Sequence, residues 1–159
     1  MKYICPLLVV EDLDKARFFY REVLDQKEKL DLGGNITFEG DFALHGKKHF
    51  DKLLNLPAIE HKPNICHNHE LYFEDDRLEE RQAKLMEHQV RFVHIIKEQP
   101  WGQRVIRFYD PDGHIIEVGE SMEAVVRRFS TQGMKPEEIA ERVGMPVEFI
   151  FLALEDDRS

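Results

Sequence analysis

One order of elements occurs twice along this chain, and a repeated strand–helix–three-strand order leaves few folds open. Tyr3 to Val10 is a short, almost wholly apolar run. Asp12 then offers an N-cap to a helix whose inner stripe is Leu13, Ala16, Phe19 or Tyr20, Val23 and Leu24. Strand candidates follow at about 27–32, 35–39 and 42–45, punctuated by Gly33-Gly34 and Gly40-Asp41. From Glu70 the order begins again, with a strand over 70–74 and a helix capped by Asp76 with Glu79 three residues on. Strands at 91–96, 104–110 and 114–119 complete it. The chain therefore predicts an α+β fold of two βαβββ modules.

The stretch 47–67 between the modules reads as a linker, serving as lid or crossover. Within it Phe50, Leu53 and Leu54 stand at helical spacing before Pro57 and suggest one amphipathic turn. After Glu120 the character turns all-helical: 122–132 ended by Gly133, 136–143 ended by Gly144, and 146–154. The expected organisation is one domain over 1–120, with modules at about 1–46 and 68–120, and a helical tail over 121–159. At 159 residues, 42% hydrophobic and 33% charged, the chain is able to bury a core of that size.

The second module ends in the most constrained segment, QPWGQRVIRFYDPDGHIIEVGE. Asp110-Pro111-Asp112-Gly113 has the composition of a type I turn, so the segment folds back as a β-hairpin. On its return strand Ile115, Glu117 and Gly119 share one face, and His114, Ile116 and Val118 the other. A carboxylate among such neighbours coordinates a metal, pairs with a cation, accepts a proton or meets a solvated cavity, because stranding it dry costs too much. The alternative is an edge-strand Glu facing water.

The two modules, the opening ICPLLVVEDLDKARFFYREVL and the closing PWGQRVIRFYDPDGHIIEV resemble the vicinal oxygen chelate superfamily. That is the fold of glyoxalase I, bleomycin-resistance proteins, fosfomycin-modifying enzymes and extradiol dioxygenases. The resemblance covers about residues 1–120 and is most specific at the Asp-Pro-Asp-Gly hairpin and the Ile-Ile-Glu after it. It implies paired modules forming a curled sheet around a cavity, often with a divalent metal held by residues on the first and last strands of the modules. Glu117 matches the carboxylate ligand of the last strand and is expected to face the cavity together with Cys5. Cys5 stands where metal-dependent members place a histidine, and Leu44 or His45 falls near the third position.

The fourth position depends on strand register. Matched by motif, His69 in HELYFED takes the place of the second module's histidine. Alternation opposes this, because His69 facing the cavity would turn Glu70, Tyr72 and Glu74 toward the helix, burying two carboxylates. Aligning Glu11-Asp12 with Glu74-Asp75 instead sets Asn68 opposite Cys5, Glu70 opposite Leu7 and Tyr72 opposite Val9. In this favoured register Asn68, Glu70 and Tyr72 line the site beside Glu117, and one of two neighbouring carboxyls is raised in pKa unless Arg107 offsets the repulsion. No metal is then expected. In the other register Cys5, His69 and Glu117 form a fallback three-ligand set for zinc, nickel or iron. His45, His49, His61, His67 and His69 crowd one stretch but lack ligand spacing on a defined element, so a solvated loop is the preferred reading.

Two further side chains complete the candidate site. Trp101, between Pro100 and Gly102, presses an indole over a cavity mouth or anchors the hairpin. Arg107 shares a strand face with Val105 and Tyr109, where it pairs with Glu117 or Glu70, clamps an anionic ligand, or is surface charge. Cys5 reads as a small buried residue more readily than as a nucleophile. No Ser-His-Asp set, phosphate-cradling glycine loop or Cys-His dyad assembles with comparable support.

Partners are narrowed by charge. A net charge of −9 argues against nucleic acid or an anionic membrane surface, and leaves a small molecule or a protein. The tail's EEIAERVGMPVEF has a helix-turn-helix rhythm, yet the tail holds five Lys and Arg against eight Asp and Glu, a net of −3. Its would-be recognition helix, 146–155, has no Lys or Arg and is dominated by Phe149, Ile150, Phe151, Leu152 and Leu154. Such a helix is expected to bury Phe149, Phe151 or Leu152 against the domain or a second copy, giving a homodimer. Cys5 and Cys66 form no disulfide framework, no run reaches membrane-span length, and a cytoplasmic protein with reduced thiols is the default. Three functions compete: a glyoxalase-like enzyme, of the lactoylglutathione-lyase kind, using Glu117 as metal ligand or general base; a non-catalytic protein that binds or sequesters a small molecule; and, with less support, a regulatory module whose tail contacts another protein.

Overall fold

The computed structural model describes residues 2, 4–54 and 69–155. Cys66, Asn68 and the linker histidines His61 and His67 lie outside the described residues. The chain is α+β and divides into two compact units, each built on one four-stranded mixed sheet. The first comprises 1–69 with the turn 109–114, and the second 70–108 with 115–159.

In the first unit β1 (Leu7–Val10) leads through α1 (Leu13–Phe18) to β2 (Glu28–Asp31), β3 (Asn35–Phe38) and β4 (Ala43–Gly46). The sheet order is β1-β4-β3-β2, with β1 parallel to β4. Asp12 caps α1, accepting from the Lys15 amide at 2.9 Å. The sequence left Phe19 and Tyr20 as alternatives for the inner stripe, and both are buried. The cause is a π-helical turn over Phe19–Val23, in which the Leu24 amide donates to the Phe19 carbonyl five residues back. With the helix widened there, Tyr20 packs against Phe38 and Phe42 and Phe19 stands edge-on to Tyr20.

The Asp110–Gly113 turn closes with the Gly113 amide donating to Asp110 carbonyl at 3.1 Å, and Gly113 takes the left-handed φ of +91° that favours glycine. Asp110, at the head of this turn, is a buried acceptor. Its carboxylate receives the Tyr20 hydroxyl at 2.9 Å, the amides of Asp112 and His114 at 2.9 Å each, and His114 Nδ1 at 2.7 Å. The amphipathic turn expected around Phe50 is a two-turn helix, α2 (Lys47–Leu54), that starts directly after β4.

In the second unit β5 (Glu70–Glu74), α3 (Leu78–Glu87), β6 (Phe92–Glu98), β7 (Arg104–Tyr109) and β8 (Ile115–Gly119) give the sheet order β5-β8-β7-β6. Asp76 does not cap α3, whose N-cap is Arg77. It reaches instead to the start of α4 (Met122–Thr131), accepting from the Ser121 amide at 2.7 Å and hydroxyl at 3.1 Å. The tail continues as α5 (Pro136–Val143) and α6 (Val147–Glu155) around a core of Val125, Val126, Phe129, Ile139, Val143, Ile150 and Ala153. The expected burial on α6 is shifted by one turn position. Ile150 and Ala153 go inward and Phe149 is half-buried, while Phe151 and Leu152 are 46% and 65% exposed. No helix among the described residues is long and apolar enough to cross a membrane.

Candidate functional site

The site is built on one face of the second sheet. Strand β5 runs parallel to β8 with Glu70 beside Ile115, Tyr72 beside Glu117 and Glu74 beside Gly119. Laterally paired residues of parallel strands project to the same side, so Glu70, Tyr72 and Glu74 share a face with Glu117 and Gly119. Leu71, Phe73, Ile116 and Val118 occupy the other.

Two clusters sit on the polar face. In the first, Arg107 of β7 ion-pairs with Glu117 and donates from Nε to Glu70 Oε2 at 3.2 Å. Its Nη1 lies 3.4 Å from Nε2 of His94 on β6. His94 Nδ1 donates to the Ile95 carbonyl at 2.8 Å, which leaves Nε2 as the acceptor toward Arg107. Glu117 is only 5% exposed. Burial pushes its carboxyl above the usual 4.5; Arg107 pulls it back and Glu70 adds to the push, with the net direction upward.

In the second cluster the Trp101 Nε1 donates to Gln103 Oε1 at 3.1 Å, Gln103 Nε2 donates to the Tyr72 hydroxyl at 2.9 Å, and that hydroxyl donates to Glu74 Oε1 at 2.9 Å. Gln103 Nε2 also donates to the Glu120 carbonyl at 2.8 Å. Burial and the Glu74 contact push the Tyr72 phenol up to about 12. Gly119 is what makes room: a Cβ there would lie 2.8 Å from Gln103 Nε2 and 3.2 Å from the Tyr72 ring.

The structure thus brings Glu70, Tyr72, Arg107, Glu117 and, through Gln103, Trp101 onto one surface. Gly119 shares the face of Glu117 as the alternation implied, whereas Gln103 and His94 were not anticipated. Extending the Val105–Arg107 alternation back by two residues would have found Gln103. Cys5 and His69 belong to the first unit, Cys5 half-buried ahead of β1 and His69 exposed with its ring 5.6 Å from that of His114. Leu44 lies in the core, whereas His45 is paired laterally with Val9 and bonded to His49 at 2.8 Å.

Of the fallback metal set, Cys5 and His69 stand in the first unit and Glu117 in the second. Among the described residues no three His, Cys, Asp or Glu side chains converge on one point. The charge on Glu117 is already met by the guanidinium of Arg107.

A family model for a glyoxalase-like domain matches residues 3–123. The chain belongs to that family, within the glyoxalase, bleomycin-resistance and dioxygenase superfamily. It is 37% identical to a protein of unknown function from Agrobacterium tumefaciens, covering 76% of this chain and 94% of that one with a TM-score of 0.69. A lactoylglutathione lyase from the same organism shares the fold at 23% identity, with 76% and 94% coverage and a TM-score of 0.58. A glyoxalase/bleomycin resistance protein/dioxygenase from Nocardioides does so at 23% identity, 76% and 83% coverage and a TM-score of 0.59. No curated protein matches the chain.

Proposed function

We propose that this protein binds a small molecule on the polar face of the second sheet and does so without metal-dependent lyase chemistry. The observation that carries the reading is the Arg107–Glu117 pair, which engages the carboxylate that either a metal or a proton-transfer role would require. Around it Glu70, Glu74 and Glu117 outnumber Arg107, and the half-exposed rings of Tyr72 and Trp101 offer flat apolar surface. Acidic groups beside exposed aromatic rings favour a planar ligand bearing a positive charge. The same reading keeps a small-molecule ligand and a second copy of the chain as partners, with no nucleic acid or membrane, in a reducing cytoplasm where Cys5 stays free.

Trp101 is the sole tryptophan, so its fluorescence reports on the site directly. Benzamidine is expected to quench it saturably, benzoate is not, and Glu70→Gln weakens the benzamidine response. The lactoylglutathione-lyase-like alternative predicts turnover of the methylglyoxal–glutathione hemithioacetal after addition of nickel or zinc. Such turnover, together with silence toward benzamidine, would reverse the choice.

A further inference from the structure

We infer that the helical tail is part of the binding apparatus: Arg128 and Phe129 on α4 fix the turn that carries Trp101 and Gln103, and so set the aromatic side of the site. The consequence for ligand affinity rests on the proposed binding function, whereas the positional claim stands on the geometry of the second unit alone.

The turn between β6 and β7 is gripped from the tail at both ends. On its near side Glu98 pairs with Arg128 Nη1 at 3.3 Å and with Arg142 Nη2 at 3.1 Å. On its far side Arg128 Nη2 donates to the Gly102 carbonyl at 2.5 Å. The same guanidinium reaches Glu120 Oε1 at 2.6 Å, and Glu120, almost wholly buried, also holds Arg104 Nε at 3.0 Å. One planar donor group thereby ties together three points that a lysine ammonium would not span at once.

Packing adds to the hydrogen bonds. Gly102 takes φ +90°, and a Cβ there would stand 2.4 Å from the Phe129 ring, so the ring lies directly against the turn's backbone. Phe129 is itself wedged in the tail core and covered by the guanidinia of Arg128 and Arg142 at 4.8 and 5.1 Å from its centroid. Residues 101 and 103 flank this seat, and their side chains begin the bonded series that passes from Trp101 through Gln103 to Tyr72. The family match ends at residue 123, so a segment outside the glyoxalase-like domain holds the turn of that domain.

The test compares the full-length wild type with Arg128→Ala, Arg128→Lys and Val143→Ala, reading Trp101 emission, acrylamide quenching, thermal unfolding and benzamidine affinity. Arg128→Ala is expected to red-shift the emission, raise the quenching constant and weaken benzamidine about tenfold, the scale of one lost charge-assisted hydrogen bond. Arg128→Lys restores these only in part. Val143→Ala loosens the tail core and lowers the melting temperature while leaving the emission in place. If Arg128→Ala fails to fold, Gly102→Ala forces the turn off Phe129 and is expected to give the same red shift. An unchanged emission in a folded Arg128→Ala or Gly102→Ala protein, or an equal shift in Val143→Ala, overturns the inference. Absence of benzamidine binding to the wild type defeats the proposed function instead, and the emission of Trp101 still decides the role of the tail.

Discussion

Arg107 and Glu117 are a pair whose members depend on each other, because removing either leaves the other's charge in a poorly solvated place. Arg107→Met is expected to cost about 2 kcal/mol, between the value of an exposed pair and that of a broken buried one, since the guanidinium is partly exposed. With its cation gone the Glu117 carboxyl rises further. Its charge penalty is then relieved as pH falls through that raised value, so urea denaturation should show a larger loss at pH 8 than at pH 5, and adding Glu117→Gln should recover most of it. His114 gives a second pH test. Burial opposes its imidazolium, but the bond and charge of Asp110, with Asp112, leave it above the ordinary 6.5. A raised folded value means the stabilisation is complete below the unfolded value and disappears as pH rises through the folded one. The stability difference between wild type and His114→Asn, measured over a pH series, is therefore expected to be greatest below about pH 6.5 and to shrink above it.

Both βαβββ modules were legible in the sequence because the strand–helix–three-strand order recurs, and in the second module the strands facing the site alternate in character every second residue. The placement of Glu70 and Tyr72 beside Glu117 follows from that alternation, since Leu71 and Phe73 need the opposite face. What escaped had partners far along the chain. In Glu74-Asp75-Asp76 local spacing cannot say which acid turns to α3 and which to a distant partner. Asp75 accepts from the Arg77 amide at 3.0 Å and Arg81 Nη2 at 2.7 Å, while Asp76 serves Ser121, 45 residues away. Gln103 lies within reach of the Val105–Arg107 alternation, but its bonds to Tyr72 and Glu120 leave no trace in the local sequence. On α6 the difficulty was uniformity: in VEFIFLALE apolar residues stand on every side, so periodicity does not select Ile150 over Phe151. Asp76→Ala is expected to cost about 1 kcal/mol, as for a lost helix cap. Hydrogen exchange should speed up in the first turn of α4 and not in β1–β4.

The whole chain joins a glyoxalase-like domain, matched through residue 123, to three helices whose order resembles a DNA-reading motif. Shape alone does not make a DNA reader. Duplex DNA binds through neutralised phosphates, and each useful contact needs a Lys or Arg placed toward the backbone. Of the tail's basic side chains, Arg128 is engaged by Glu98, Glu120 and Gly102, and Arg142 by Glu98. The helix in the recognition position carries Glu148 and Glu155 and no base, and its exposed Phe151 and Leu152 match no phosphate. A molecule of net charge −9 is also repelled by the duplex before contact. Fluorescence anisotropy with labelled duplex at physiological salt is thus expected to stay flat, and lowering the salt should not rescue it, because the tail's net charge of −3 leaves no excess of cations for counterion release to act on. A salt-dependent, saturable rise would show that the tail presents basic groups to the backbone, and would contradict the ion pairs that tie Arg128 and Arg142 to the glyoxalase-like domain.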